Sequence, residues 1–200
     1  MNEALWALGR GTGVVALALL TVTVVLGILT RSGRPAFGLP RFAVTLVHRN
    51  SALIGTAFVL IHIVSLLFDP YAQLNVVDFI LPFLGSYHPF WLGLGTVGVD
   101  LLIAIVVTSL LRRWIGQRTF RVVHWATYAL WPIALLHSFG TGTDAGSGLF
   151  ILFAAVCTLA VVGSVIWRAS TGFLLRGRTE PDRRVDPSQI AADPTLKELR

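Results

Sequence analysis

Long apolar runs alternate with short polar segments along the whole chain. Five of these runs are close to the roughly 20 residues that an α-helix needs to cross the hydrocarbon of a bilayer. The pattern therefore predicts an all-α membrane protein with five transmembrane helices within residues 1–175. The predicted spans cover approximately 6–29, 42–68, 91–111, 120–139 and 149–167. The charged, proline-containing segment that follows, 176–200, is predicted to be a flexible cytoplasmic tail.

The composition agrees with a membrane protein and argues against a nucleic-acid-binding one. Hydrophobic residues make up 54% of the 200 residues and charged residues only 13%, too few to cover the surface of a soluble domain of this size. The net charge of +6 comes from arginines beside the apolar runs, where membrane topology explains them better than nucleic acid does. The single cysteine, Cys157, excludes an intrachain disulfide and a cysteine-based metal cluster.

The positions of the arginines predict the orientation of the chain in its membrane. Arginines occupy 31–41, 112–121 and 168–184, whereas 69–90 and 140–148 contain neither lysine nor arginine. The positive-inside rule then places the N-terminus outside and the C-terminus in the cytoplasm. Arginine outnumbers lysine fifteen to one, which indicates a GC-rich bacterial genome. We therefore expect a multi-pass protein of the bacterial cytoplasmic membrane.

Four histidines lie inside the predicted spans, in two pairs. His48 and His62 are fourteen residues apart in the second span, and His124 and His137 are thirteen apart in the fourth. At about 1.5 Å of rise per residue, each pair is separated by roughly 20 Å along its helix. The two spans cross the membrane in the same direction, so His48 and His124 share the cytoplasmic leaflet and His62 and His137 share the outer one.

This arrangement favours two stacked b-type haems, because iron in a porphyrin takes one axial ligand on each face and imidazole is a common choice. The alternative is four unrelated histidines, each hydrogen-bonded to a neighbouring helix. A single zinc or copper ion shared by all four is excluded by the separation within each pair. On an ideal helix the thirteen-residue step ends about 140° away from a whole number of turns. We expect Pro132, which lies inside that step, to kink the helix or change its winding.

The stretch TSLLRRWIGQRTFRVVHWATYALWPIALLH (108–137), together with His48 and His62, resembles ferric-reductase-like transmembrane domains. This family includes ferric reductases, NADPH oxidases and the haem-bearing membrane subunit of the periplasmic methionine-sulfoxide reductase system. The resemblance covers roughly 42–139 and implies a bis-histidine dihaem bundle that moves electrons across the membrane. The residues that carry it are Thr108, Ser109, Gly116, Arg118, Phe120, His124, Tyr128 and His137.

The electron donor is expected to be a separate protein. The oxidases and eukaryotic reductases of this family carry a fused flavin–nicotinamide domain, and the 25 residues of 176–200 are too few to form one. We therefore expect an oxidoreductase component that works with a separate flavoprotein or FMN-binding redox partner. Two further hypotheses stay open: a quinone-reactive cytochrome b, and a haem-free membrane scaffold or transporter.

Four charged residues are further candidates for cofactor binding. Asp100 lies near the middle of the third span, where a carboxylate is costly and suggests function. It can orient a ligand histidine, serve a proton path or hold a hydroxyl such as that of Tyr128. Arg10 either extends to lipid headgroups or pairs with propionates of the outer haem. Arg49 and Arg118 either pair with propionates of the inner haem or contact lipid and set topology, and the second alternative is at least as well supported. For Arg49, which adjoins a histidine in the sequence, the propionate is favoured.

Overall fold

The computed structural model describes residues 2–32, 38–69, 74–85 and 88–170. The predicted flexible tail, 176–200, lies outside these residues. A 3₁₀ turn, Val76–Phe79, precedes the third helix. The helices are α1 (Asn2–Ser32), α2 (Arg41–Leu67), α3 (Pro89–Leu110), α4 (Arg112–His124), α5 (Thr127–Thr141) and α6 (Gly148–Ala169).

Four helices of the described residues are long and apolar enough to cross a membrane, and they match the first, second, third and fifth predicted spans. They cover Glu3–Ser32, Arg41–Leu67, Pro89–Leu110 and Gly148–Ala169. Large apolar side chains are exposed along them, among them Phe42 at 75% and Leu149 at 80%. Such surfaces suit contact with lipid tails. The prediction of an all-α, multi-pass membrane protein is therefore confirmed.

The fourth predicted span, 120–139, is divided between two helices that meet at Trp125 and Ala126. Its first residues belong to α4, a polar helix that Gly116 interrupts with the non-helical angles φ 82° and ψ 159°. Its remainder belongs to α5, which has only 15 residues. Hydropathy averaged over the segment does not reveal the break, because the apolar residues of both helices adjoin one another.

The junction between α4 and α5 changes the winding that the thirteen-residue histidine spacing depends on. The N–H groups of Ala126, Tyr128 and Ala129 donate to carbonyls three residues earlier, as in a 3₁₀-helix. A 3₁₀-helix turns about 120° per residue, so about four such steps reduce the 140° offset between His124 and His137 to about 60°. Pro132 lies inside α5. Because proline has no N–H, it cannot bond the carbonyl four residues earlier, and the tight turn lies just before it.

α1 is the central helix, since it packs against α2, α5 and α6. Small residues let α1 and α2 approach closely: Gly9 adjoins Leu66, and Gly55 of α2 adjoins Leu19. α3 packs against α4 and α5. Within the described residues, α2 and α5 make no extensive contact with each other. α2, which carries His48 and His62, packs on α1, whereas α5, which carries His137, packs on both α3 and α1.

Two polar contacts fix α5 and the junction before it. The Trp131 indole donates to Thr21 Oγ1 at 2.9 Å, which joins α5 to α1 in the buried core. Arg168, at the end of α6, donates to the Tyr128 hydroxyl and places its guanidinium 4.9 Å from the centre of the Trp125 ring. The junction that follows His124 is therefore braced by α6.

Candidate functional site

His48 and His124 meet at one end of the bundle. Their ring centres are 6.5 Å apart and their planes are 81° to each other. Two imidazoles that bind one metal ion from opposite sides, each at about 2.0 Å, have ring centres about 6.3 Å apart. The observed separation matches that of a bis-histidine pair. That these two histidines bind one haem stays a prediction.

His62 and His137 lie toward the opposite end. His62 follows His48 by fourteen residues on one continuous helix, a separation of about 21 Å. His137 is within electrostatic range of His62. Both side chains are partly buried. The four histidines therefore form two levels rather than one cluster.

Three of the histidines are oriented by backbone carbonyls of a neighbouring helix. Because a carbonyl only accepts, each Nδ1 must carry the proton, and this leaves Nε2 as the nitrogen available to a metal ion. Nε2 of these three rings makes no hydrogen bond to any described residue. The Nδ1 bonds run from His48 to Thr23 O at 2.9 Å, from His62 to Gly9 O at 2.6 Å and from His137 to Trp91 O at 2.9 Å.

A glycine lies four residues after each of these three carbonyls. A Cβ on Gly13 would come 3.1 Å from His62 Nδ1, and one on Gly27 would come 3.2 Å from His48 Cε1. A Cβ on Gly95 would come 2.5 Å from His137 Cε1. A side chain at Gly95 would force the His137 ring to shift, and one at Gly13 or Gly27 would require its histidine ring to give by a few tenths of an ångström. The same carbonyl–glycine arrangement thus holds three of the four rings.

His124 differs from the other three. Its Nδ1 is enclosed and has no hydrogen-bond partner in the described part of the chain. The ring lies 5.1 Å from the ring of Phe120, at 31° to it. The lack of an acceptor is unusual for a buried imidazole nitrogen.

The donor set fits a haem better than a metal ion held by protein alone. Among the described residues, no three histidine, cysteine, aspartate or glutamate side chains converge on one point. A structural zinc site needs four protein ligands and a catalytic one three. A porphyrin would supply the remaining iron ligands, so a haem would need only the two imidazoles that each level offers.

Within the described residues, none of the charged candidates makes a hydrogen bond to one of the four histidines. Arg10 pairs with Asp144 and lies 4.1 Å from the centre of the Trp6 ring. Arg49 and Arg118 are exposed and make no hydrogen bond to a described residue. Their expected roles toward propionates stay predictions.

Asp100 is exposed on α3 and makes no hydrogen bond within the described ranges. It holds no histidine Nδ1, and the hydroxyl of Tyr128 is bonded by Arg168 instead. None of these contacts bears on the proton path, the third role considered for Asp100. Its part in cofactor binding stays a prediction.

Sequence reasoning missed two features of the site. Arg31, at the end of α1, is within electrostatic range of His124. The glycines were also missed, although Gly13 and Gly27 are fourteen residues apart, the same spacing as His48 and His62. That shared spacing could have indicated that α1 packs against α2 with Gly13 facing His62 and Gly27 facing His48.

Comparison with known families identifies the class of protein. The family described as ferric reductase like transmembrane component matches residues 12–135, more than half of the chain. The chain belongs to this family, and membership implies electron transfer across a membrane in general. The match contains His48, His62 and His124 and ends two residues before His137. Comparisons with curated proteins and with solved structures give no match.

Proposed function

We propose that this chain transfers electrons across the membrane through two b-type haems, one between His48 and His124 and one between His62 and His137. The observation that carries the proposal is the 6.5 Å separation of the His48 and His124 rings, which lie on α2 and α4, two helices without extensive contact in the described residues. Family membership and the two-level arrangement of the histidines support it.

When bound, the haems supply reversible one-electron chemistry at iron. The protein's own contribution is to hold and orient the ligands. The carbonyls of Thr23, Gly9 and Trp91 fix the tautomer and direction of three imidazoles and raise the basicity of Nε2. His48 and His124 would hold one haem and His62 and His137 the other, which would leave no iron position open to a substrate, so electrons would pass by outer-sphere transfer.

The proposed direction is from the cytoplasm outward. Arg31, Arg41 and Arg112 lie at the helix ends nearest His48 and His124, which supports a cytoplasmic location for that level. A separate flavoprotein or FMN-binding protein is the proposed donor there. The acceptor receives electrons at the His62 and His137 level, outside the bacterial cytoplasmic membrane.

The charged residues have proposed roles at the two ends. Arg31, Arg49 and Arg118 pair with propionates of the inner haem, as guanidinium suits carboxylate geometrically. Arg10 does so at the outer haem, where its ion pair with Asp144 sets its position. Asp100 is a candidate for proton movement in the middle of α3.

Electron transfer across sealed liposomes tests this function. Liposomes carrying the purified full chain would contain ferricyanide and receive dithionite outside. We expect the trapped ferricyanide to be reduced by the wild-type protein. Replacing either His48 or His62 by alanine breaks the path at one level and should abolish the reaction. Equal rates for the wild type and both variants would contradict the proposal.

A further inference from the structure

The segment 74–85, between α2 and α3, exposes its apolar side chains and buries its acidic one. Every exposed residue of the segment except Asn75 carries a large apolar side chain. Asp78, the one acidic residue of the segment, is buried. A surface of this kind marks contact with a membrane or with another protein. The exposed apolar residues, with exposed fractions of 46–67%, are Val76, Val77, Ile80, Leu81, Phe83 and Leu84.

The segment folds back along α3 rather than projecting beyond it. The Thr96 hydroxyl donates to the carbonyl of Asp78 at 2.6 Å. Thr96 lies seven residues after Pro89, the first residue of α3, and therefore about 10.5 Å along the helix. Because α3 is long and apolar enough to cross a membrane, this bond sets the 3₁₀ turn at a level within the thickness of a bilayer.

Phe83 and Gly93 form a second contact between the segment and α3. A Cβ on Gly93 would lie 2.6 Å from the backbone nitrogen of Phe83 and would clash with its ring. Phe83 has a φ of 70°, in the left-handed region that a bulky residue rarely adopts. Its ring stacks on that of Phe90, which is itself exposed on α3, with centres 6.2 Å apart. The apolar surface of the segment is therefore continuous with that of a membrane-spanning helix.

The backbone of the turn bonds its own polar groups, as contact with lipid requires. The amides of Asp78, Ile80 and Leu81 donate to carbonyls of the same segment. The amide of Asn75 donates to the Asp78 carboxylate at 2.8 Å. The carbonyl of Asp78 accepts the bond from Thr96. These polar groups are thus satisfied within the protein, and the outward face is made of apolar side chains.

The charge of this region favours lipid over a soluble protein partner. Residues 69–90 contain neither lysine, arginine nor glutamate, and both aspartates, Asp69 and Asp78, are buried. Interfaces with soluble proteins have a polar rim around an apolar centre. The other segment without lysine or arginine, 140–148, differs, since it exposes Thr143 and Asp144. An apolar face without a charged rim suits the boundary between headgroups and acyl chains.

We propose that residues 74–85 form a re-entrant segment whose apolar face lies in the leaflet where α3 begins, held at that depth by the bond from Thr96 to Asp78. In the proposed orientation this is the outer leaflet. The inference goes beyond electron transfer and does not depend on haem. Residues 74–85 thereby belong to the membrane-embedded surface of the protein rather than to an aqueous loop.

Spin labels on the full chain in liposomes test this depth. Val77→Cys and Ile80→Cys would each be labelled in a Cys157→Ala background. The collision rates of each label with oxygen, which dissolves in lipid, and with a water-soluble nickel chelate would be measured. Thr143→Cys is the aqueous control, because Thr143 is exposed in the connection between α5 and α6. Ile151→Cys is the lipid control, because Ile151 is 50% exposed on α6.

The ratio of oxygen to nickel collisions decides the outcome. At Val77 and Ile80 we expect a ratio similar to that at Ile151 and several-fold above that at Thr143. A ratio like that at Thr143 would overturn the inference and leave the face as a docking surface for a soluble protein. Low accessibility to both reagents would also overturn it, because the face would then be covered by protein.

Two threonine variants test what holds the segment at its depth. Thr96→Val removes the hydroxyl that bonds the Asp78 carbonyl, so the nickel accessibility of the Ile80 label should rise. Thr108→Val is the matched control, because the Thr108 hydroxyl bonds the carbonyl of Ala104 on its own helix. Equal accessibility in the two variants would overturn the role proposed for Thr96. Failure of the proposed function would be seen separately, as a folded wild-type protein without haem.

Discussion

The imidazole of His137 packs closely against Gly95 of α3. A Cβ at Gly95 would come 2.5 to 3.1 Å from three atoms of that ring, closer than side chains pack. The same ring donates to the carbonyl of Trp91, one helical turn earlier. The glycine and the carbonyl together set where the ring can lie, so a ligand on one helix depends on the backbone of another.

Gly95→Ala should therefore displace His137 and weaken the outer haem. Loss of a group that orients a ligand typically lowers affinity about tenfold to a hundredfold. Haem quantification and the potential of the remaining centre would show the loss. Gly98→Ala is the matched control on the same helix, because its Cβ would meet Leu130 and Ile133 at 3.7 and 3.8 Å, ordinary contacts. Equal haem loss in both variants would contradict this account.

The two glycines of α1 should give graded effects. A Cβ on Gly13 would lie 3.1 Å from two atoms of His62, whereas one on Gly27 would lie 3.2 Å and 3.6 Å from two atoms of His48. We expect Gly13→Ala to lower the affinity for the outer haem more than Gly27→Ala lowers the affinity for the inner haem. Both effects should be smaller than the effect of Gly95→Ala on the outer haem. Gly11→Ala, with nothing within 4 Å, should retain both haems. Haem affinity measured by titration into the stripped protein would rank them, and loss in Gly11→Ala would count against the contact argument.

The histidine spacings could be read from the sequence, because spacing along each span is a property of the chain itself; that each pair binds one haem stays a prediction. The sequence did not predict the carbonyl acceptors, because Gly9 and Thr23 come close to His62 and His48 only through the register of α1 against α2. It also treated 120–139 as one span, since hydropathy does not report the tight turn around Ala126. Which way Asp100 faces on α3 is likewise decided by packing, so the sequence left its three candidate roles open.

Trp131→Phe should reduce stability without changing the haems. The substitution keeps an aromatic ring in the core but removes the indole bond to Thr21. A buried neutral hydrogen bond contributes about 1 kcal/mol, so the free energy of unfolding should fall by about that amount. Unfolding in mixed detergent micelles would measure it. Trp114→Phe is the control, because Trp114 is 75% exposed. A similar loss of unfolding free energy in Trp114→Phe would show that the effect does not come from the Trp131–Thr21 hydrogen bond.

Arg168→Ala should affect the inner haem selectively. Arg168 bonds the Tyr128 hydroxyl and stacks on Trp125, which follows His124 directly. Losing both contacts loosens the junction that carries this ligand, and a cation–π contact alone is worth about 0.5–1 kcal/mol at an exposed site. Tyr128→Phe removes only the hydroxyl and should have a smaller effect. Thermal release of haem, followed spectroscopically, gives the order, with the exposed Arg112→Ala as control. If Arg168→Ala released both haems equally, the junction would not be the cause.

The number of haems per chain and their assignment to histidines test the central claim most directly. The measurement is a pyridine haemochrome determination with reduced-minus-oxidised spectra on the purified wild type and the four single histidine-to-alanine variants. The account predicts about two haems b per chain, as two axial imidazoles complete each iron. His48→Ala and His124→Ala should remove one centre, and His62→Ala and His137→Ala the other. A folded protein without haem, or His48→Ala and His137→Ala removing the same centre, would contradict it.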